Sequence, residues 1–244
     1  MEDLIIKKST SGLGELLIKP VAKQLAKELT IKNHYSHKWN DGSFGVYNFG
    51  IFKADQPDDC LGVAVYGYMK NVKARIFEHP NPAAWMCELN RMWIADVLGK
   101  NAETVLISAS IKLLRRINKN IVAVQSFADG RLGAGTIYKA ANFQYYGYHW
   151  TKFVVNQRTE QILTNTTSAT GYLRSNIAYI IGDLKTFQVK TYRYIYPLCK
   201  RFKFSKKPQP YPQYEKGMHP TEWNRDIVKV KQNIIALLDK VPYK

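Results

Sequence analysis

The chain has 244 residues, 45% of them hydrophobic, with 36 Lys plus Arg against 19 Asp plus Glu and a pI near 9.7. That length suits one sizeable core with an appendage, or two small domains, and a charge of +17 points to a polyanionic partner, nucleic acid being the commonest. Cys60, Cys87 and Cys199 form neither a disulfide framework nor a zinc motif, and with no signal peptide and no apolar run of about 18 residues the expectation is a soluble, cytoplasmic protein without a membrane partner. A ribosome-associated or merely basic protein is the bland alternative.

Asp3–Lys7 reads as an edge strand, followed by a flexible link as far as residue 19. Pro20 then opens a helix whose face carries Val21, Leu25 and Leu29. It runs into the polar-aromatic cluster Asn33-His34-Tyr35-Ser36-His37-Lys38-Trp39 and the turn signal Asn40-Asp41-Gly42. His34 and His37 are close enough for one helical turn, but no third ligand follows at a recognisable spacing. They read better as loop histidines that hydrogen-bond a ligand or the backbone. Phe44–Lys53 and Cys60–Met69 are aromatic, β-branched runs joined by a polar loop, which predicts an antiparallel hairpin. Residues 70–87, with Lys70, Lys73, Arg75, Pro80 and Pro82, read as an irregular functional loop or lid.

Glu88 to Tyr148 reads as strand, loop, helix, strand, turn, helix, strand. Residues 102–117 place Leu106, Ala109, Leu113 and Ile117 on one helical face, with Asn101 as a candidate cap and Glu103 in the first turn. Ile121–Phe127 is the short β-branched run of a buried strand. A crossover helix between two such strands argues for parallel pairing. Strand alternation sends Leu89, Arg91 and Trp93 to one face. A guanidinium between apolar neighbours needs either an anionic ligand or a buried ion pair, with Glu88 or Asp129 as the partner. Asp129 ends the second strand, where α/β sheets bind ligands, or it caps the helix that follows. Gly133 and Gly135 in GRLGAG expose backbone N–H groups that suit a phosphate or carboxylate, or they make a tight turn. In GTIYKAANF, Ala134, Ile137, Ala140 and Ala141 can face the sheet, with Tyr138 beside that stripe near the opening. There it is a general acid or a packing residue.

Residues 145–155 read as a Tyr-rich strand, 164–170 as a polar linker and 171–182 as a short helix. Residues 185–199 alternate again, with Tyr192, Tyr194 and Tyr196 on one face. From Lys185 to Lys216 there are nine Lys or Arg and one acid, interleaved with aromatics including Phe187, Phe202, Phe204, Tyr211 and Tyr214. That mixture suits a surface that neutralises phosphates and stacks bases, rather than a merely solvated tail. Arg193, Lys200, Arg201, Lys203, Lys206 and Lys207 are its candidate phosphate contacts, joined by Lys70, Lys73 and Arg75. Residues 208–214 should be extended, and 221–238 form an amphipathic helix docked on the body. The expected division is a catalytic domain over 1–184 and a basic aromatic extension over 185–244, packed on the same domain.

The order of elements around ELNRMW, SFAD, IYKAANF and QYYGY resembles the acyl-CoA-dependent N-acetyltransferase (GNAT) fold, which implies an α/β mixed sheet flanked by helices. More narrowly, His34-Tyr35, Glu88-Leu89-Asn90-Arg91-Met92-Trp93, Phe127-Ala128-Asp129 and Ile137–Phe143 resemble the bacteriophage Mom proteins, over roughly residues 20–215. That resemblance implies a DNA-modifying transferase. It would place a carbamoylmethyl or acyl-type group on the exocyclic amine of adenine in double-stranded DNA and so protect phage DNA from restriction. Asp129, Tyr138, Arg91, His34 and Tyr35 would be its catalytic residues. Arg91, Gly99, Lys100, Gly133 and Gly135 would hold a donor. The glycine-rich loop that cradles CoA in GNAT enzymes is replaced here by VLGKNAET, and the Mom group departs from that loop likewise. Two cofactors therefore stay open: an acyl-CoA such as acetyl-CoA, or iron with His34, Tyr35, Asp129 and Tyr138 as candidate ligands. A homodimer stays open as well. The competing readings are an ordinary N-acetyltransferase acting on a protein, RNA or small amine, and a non-catalytic nucleic-acid binder on the same fold.

Overall fold

The computed structural model describes residues 4–70, 76–130, 132–156, 162–165 and 184–213. The helices expected at 171–182 and 221–238, and the phosphate contacts Lys73 and Arg75, lie outside the described residues. The chain divides into two compact units, Met1–Phe127 with Gly135–Gly147 and Arg193–Tyr211, and Ala128–Ala134 with Tyr148–Tyr192 and Pro212–Lys244.

The first unit is built on a mixed sheet. Its strand order is β1 (Ile5–Lys8), β2 (Glu15–Pro20), β3 (Tyr47–Lys53), β4 (Gly62–Gly67), β6 (Trp85–Ile94), β7 (Ile121–Asp129), β10 (Leu184–Pro197) and β8 (Gln144–Asn156), the last three running on into the second unit. β1 to β4 and β6 pair antiparallel in turn, and β6 pairs parallel to β7, the arrangement expected for strands joined by a crossover helix. A two-stranded ribbon of β5 (Phe77–Glu78) and β11 (Lys203–Phe204) is separate. The architecture is α/β.

Two helices cover the sheet. α1 (Lys23–Asn33) packs Ala26 on Val63 and Val65 of β4. α2 (Ala102–Ile117) buries Leu106, Ile107, Leu113 and Leu114, and its Ser110 Oγ meets the Tyr66 hydroxyl at 2.6 Å. Phe49 stands edge-on to Tyr66 at 5.9 Å, and both are buried. Each such fully buried side chain stabilises the fold by roughly 1.5–3 kcal/mol.

Several local expectations are corrected. The link before residue 19 contains β2, because Leu16 and Ile18 alternate into the core after a turn with Gly12 and Gly14 in the left-handed region. Pro20 ends that strand opposite Phe49, so α1 begins only at Lys23. Residues 76–87 contain β5 and the first residues of β6, whose start at Trp85 is fixed by pairing with Ile121. Asn101 occupies the cap position of α2, but in a left-handed conformation that gives no side-chain cap bond.

The most consequential correction concerns β6. Leu89 pairs with Tyr66 and Arg91 with Val65, leaving Asn90 as the extra residue of a β-bulge. Alternation therefore breaks at Asn90. Leu89 stands on the α2 face with Tyr66, while Arg91 stands on the α1 face with Val65. The bulge sits where backbone crowds closely: a Cβ on Gly67 would strike the carbonyl of Ser43 and lie 2.7 Å from Asn90 Oδ1.

In the second unit β8 pairs antiparallel with β9 (Ile162–Asn165), and Gly130 N–H donates to the Lys190 carbonyl at 2.9 Å. Among the described residues no helix is long and apolar enough to cross a membrane.

Candidate functional site

The registered pairing of β6 with β7 runs from Trp85↔Ile121 to Glu88↔Gln125 and stops there, although both strands continue. Parallel strands that part in mid-sheet leave backbone and side-chain polar groups without ladder partners. Side chains fill the gap. Ser126 Oγ lies 3.0 Å from the Leu89 carbonyl and 2.9 Å from the Tyr138 hydroxyl, its single proton shared between the two oxygens.

Tyr138 comes from α3 (Thr136–Ala140), a helix of five residues. It is 9% exposed, stacked on Tyr194 at 5.2 Å and close to Phe143 at 5.5 Å. The helix is too short for the expected apolar stripe: Tyr138 and Ala141 turn inward and Ala140 is exposed. Burial pushes the phenol's pKa up, against the hydrogen bond from Ser126, and Glu88 pushes it further while Arg91 opposes.

Glu88 is the centre of the polar cluster. Its Oε2 accepts from Gln125 Nε2 at 2.7 Å and its Oε1 from Asn90 Nδ2 at 3.2 Å. Burial raises its pKa, opposed by those two amides and by the charges of Arg91 and Arg193. Arg91 lies over the Phe44 ring at 4.6 Å and donates from Nη1 to the Asn90 carbonyl at 2.6 Å. Burial lowers its pKa, against the favourable charges of Tyr35, Glu88 and Tyr138. Glu88, one of the two carboxylates expected to pair with Arg91, acts on it through its charge rather than in an ion pair within 4.0 Å. The Arg91 Nε is buried and meets no partner among the described residues.

His34 is buried at the end of α1, its ring 4.1 Å from that of Tyr35. Ser36 N–H donates to its Nδ1 at 3.1 Å, so in the neutral ring Nε2 carries the proton. Tyr35, beside His34, and Tyr138 thus lie within electrostatic reach of Arg91, and Glu88, Asn90, Gln125 and Ser126 complete the polar surroundings. Arg193, expected on a phosphate-binding surface, is half-buried between the Phe127 and Phe204 rings, within the field of Glu88. Asp129 closes β7 in the second unit, and its carbonyl accepts from Leu132 N–H at 2.8 Å. It does not cap α3, whose cap is Gly135.

The donor-binding candidates fit less well. Gly99 is left-handed, and a Cβ there would meet Ser11, whose hydroxyl donates to the Leu98 carbonyl at 2.6 Å. Thr10 likewise donates to the carbonyl of Lys100 at 2.8 Å. The β1–β2 turn therefore lies against the turn where a CoA pyrophosphate would be cradled. The Gly135 carbonyl accepts from Tyr138 N–H at 3.0 Å at the start of α3, and Gly133 lies in the second unit. Among the described residues no group of three or more His, Cys, Asp or Glu could hold a metal ion, and of the expected iron ligands only His34 and Asp129 are of those kinds, the other two being Tyr35 and Tyr138. The Tyr138 oxygen is engaged by Ser126, and His34 Nδ1 by Ser36.

Lys200, Arg201, Lys203, Lys206 and Lys207 are all exposed, as is Lys70. Hollows of about 300 and 260 Å³ lie among them, one lined by Arg115 and Lys200, the other by His79, Arg201 and Lys203. The aromatics expected to stack bases are a correction. Tyr192 and Tyr194 are buried because the alternating strand turns them into the interior, and Phe202 is buried in the core cluster with Ile195 and Tyr146. Tyr148, 49% exposed, and Trp150, 53% exposed, stand in the second unit with Lys190 Nζ 4.8 and 5.9 Å from their rings. The Tyr-rich run 145–155 carried that signal.

Comparison with known proteins adds the following. The Mom protein family matches residues 15–213. The methylcarbamoylase Mom of Escherichia phage Mu is 32% identical over 216 residues, covering 83% of this chain and 86% of the relative. Among solved structures, Arabidopsis thaliana NAA60 in complex with acetyl-CoA matches with a TM-score of 0.48 and 9% identity, over 75% of this chain and 99% of that one. The NatC complex bound to Gag peptide and CoA matches with a TM-score of 0.42 and 10% identity, over the same shares. At these scores the structural likeness is distant, and the family assignment rests on the sequence matches.

Proposed function

Because the chain belongs to the Mom protein family, we propose that it is a DNA-modifying transferase which places a carbamoylmethyl or acyl-type group on the exocyclic amine of adenine. What supports this reading is that Arg91 and Tyr138 lie within each other's electrostatic reach beside the place where β6 parts from β7, on a chain of charge +17 whose relative is a methylcarbamoylase. The chemistry divides as follows. Adenine must leave the duplex stack to present its amine, at a cost of a few kcal/mol. That amine is a weak nucleophile, because its lone pair is delocalised into the ring. Asp129 orients it or takes its proton as it attacks the donor. Arg91, always cationic, holds an anionic or carbonyl group of the donor with its planar fork. The protonated phenol of Tyr138 donates to the charge that develops on the donor, or protonates the leaving group. His34 and Tyr35 line the base pocket.

The extension 185–244 and Lys70 supply phosphate contacts, and a protein that modifies bacteriophage DNA works in the host cytoplasm. Replacing Lys200, Arg201, Lys203, Lys206 and Lys207 by Gln together should flatten the slope of log K against log salt by about four to five units. These side chains are exposed, so the melting transition should stay cooperative and unshifted. An unchanged slope would remove this segment from the DNA interface. The modification itself is tested by restriction. DNA from a bacterium expressing the chain should resist endonucleases whose sites contain adenine, and full cleavage with soluble protein present would count against the reading.

A further inference from the structure

Around Glu88 lie four buried polar atoms that meet no partner among the described residues: Arg91 Nε, Arg193 Nε, Asn90 Oδ1 and Gln125 Oε1. They belong to one cluster. The Asn90 and Gln125 amides both donate to the Glu88 carboxylate, and the charge of Glu88 acts on both arginines. A carboxylate only accepts, so it fixes the NH₂ of each amide toward itself and leaves each amide oxygen to face elsewhere. Asn90 is 7% exposed and Gln125 3%, so those oxygens are not simply hydrated at the surface. Buried polar atoms without partners are rare in folded chains, and each costs stability until something supplies the missing bond.

The vacant capacity has a definite composition, two N–H donors and two carbonyl acceptors. A primary carboxamide is its complement: one oxygen with two lone pairs and one NH₂ with two protons. An acetyl group has the oxygen but no protons, and would leave both amide oxygens unpaired. A carboxylate would set its anionic oxygens against them. We infer that Asn90, Gln125, Arg91 and Arg193 form a subsite for a primary carboxamide, the terminal group of a carbamoylmethyl donor. The inference rests on the proposed function for the identity of the transferred group. It makes Asn90 and Gln125 the residues that select carbamoylmethyl over acetyl. Sites that hydrogen-bond a polar group reject analogues lacking it strongly, because their own buried groups are then unpaired.

Acetamide and acetate, nearly the same in size, are the probes. With the full-length protein, saturating acetamide should raise the melting temperature by about 4 °C at a tenfold excess over its Kd, while acetate at the same concentration and ionic strength should not. Gln125→Met, close in volume, should abolish the acetamide shift. Should that variant fail to fold, the acetamide–acetate contrast on the unsubstituted protein decides alone. Equal shifts with both probes, no shift with either (water only at the site), or an acetamide shift that survives in a folded Gln125→Met protein would each overturn the subsite. The same preparation is scored for modified adenine in the DNA of its host. If that modification is present without acetamide selectivity, the subsite falls and the function stands. Acetamide selectivity without any modification of adenine would sink the function instead.

Discussion

Tyr138→Phe is expected to lower the rate of adenine modification by about 100-fold or more while leaving the fold intact. The phenyl ring keeps its contacts with Tyr194 and Phe143, and Ser126 keeps the Leu89 carbonyl as its acceptor. Loss of the hydroxyl should therefore cost only about 1 kcal/mol of stability. What disappears is a phenolic proton at the point where β6 and β7 part. The sign of the pH dependence follows from the same burial. The folded pKa is raised above the ordinary value of 10.0, so the phenol keeps its proton throughout the neutral range. Activity that needs this proton is fully present below that pKa and falls only as pH rises through it. A Tyr138→Phe protein that modifies DNA at the parental rate would make the residue a packing element.

Arg91→Lys should be comparably severe, with a loss of at least about 100-fold in modification and a protein that still melts cooperatively. The substitution keeps the charge but loses the planar fork and its stacking on Phe44 at 4.6 Å. A lysine ammonium is a point charge that cannot reproduce both the Nη1 bond to the Asn90 carbonyl and the direction of the vacant Nε. An insoluble or molten variant would show that Arg91 serves structure, and full activity would show that charge alone suffices.

Arg91 and Tyr138 were legible in the sequence for a physical reason. A guanidinium among apolar residues, or a phenol just after a glycine-rich turn, is an anomaly of composition that no fold is needed to notice. The crossover of α2 between two strands was legible through its 3.6-residue period. What the sequence hid depends on register. A one-residue bulge at Asn90 moves Leu89 and Arg91 to opposite faces, and only the partner strand reveals it. The parting of β6 from β7 after Glu88↔Gln125 is likewise a tertiary fact. Without it, Gln125 and Ser126 look like ordinary polar residues in a strand. The tyrosines of β10 misled for the opposite reason. Alternation identifies a face but not which face meets water, so Tyr192 and Tyr194 read as a stacking surface and are buried.

Addition of a group to the exocyclic amine of adenine in DNA is tested most directly by nucleoside mass spectrometry. DNA from a bacterium expressing the protein is digested to nucleosides, each nucleoside is weighed, and the modified one is fragmented to locate the added group. Added mass is expected on a fraction of deoxyadenosine alone, retained on the base at its amine, and lost with Asp129→Asn, which keeps the size of the side chain but removes the general base. Unmodified deoxyadenosine alongside soluble, folded protein would contradict that function. So would mass carried by another nucleoside or by the sugar, or undiminished modification by the Asp129→Asn variant.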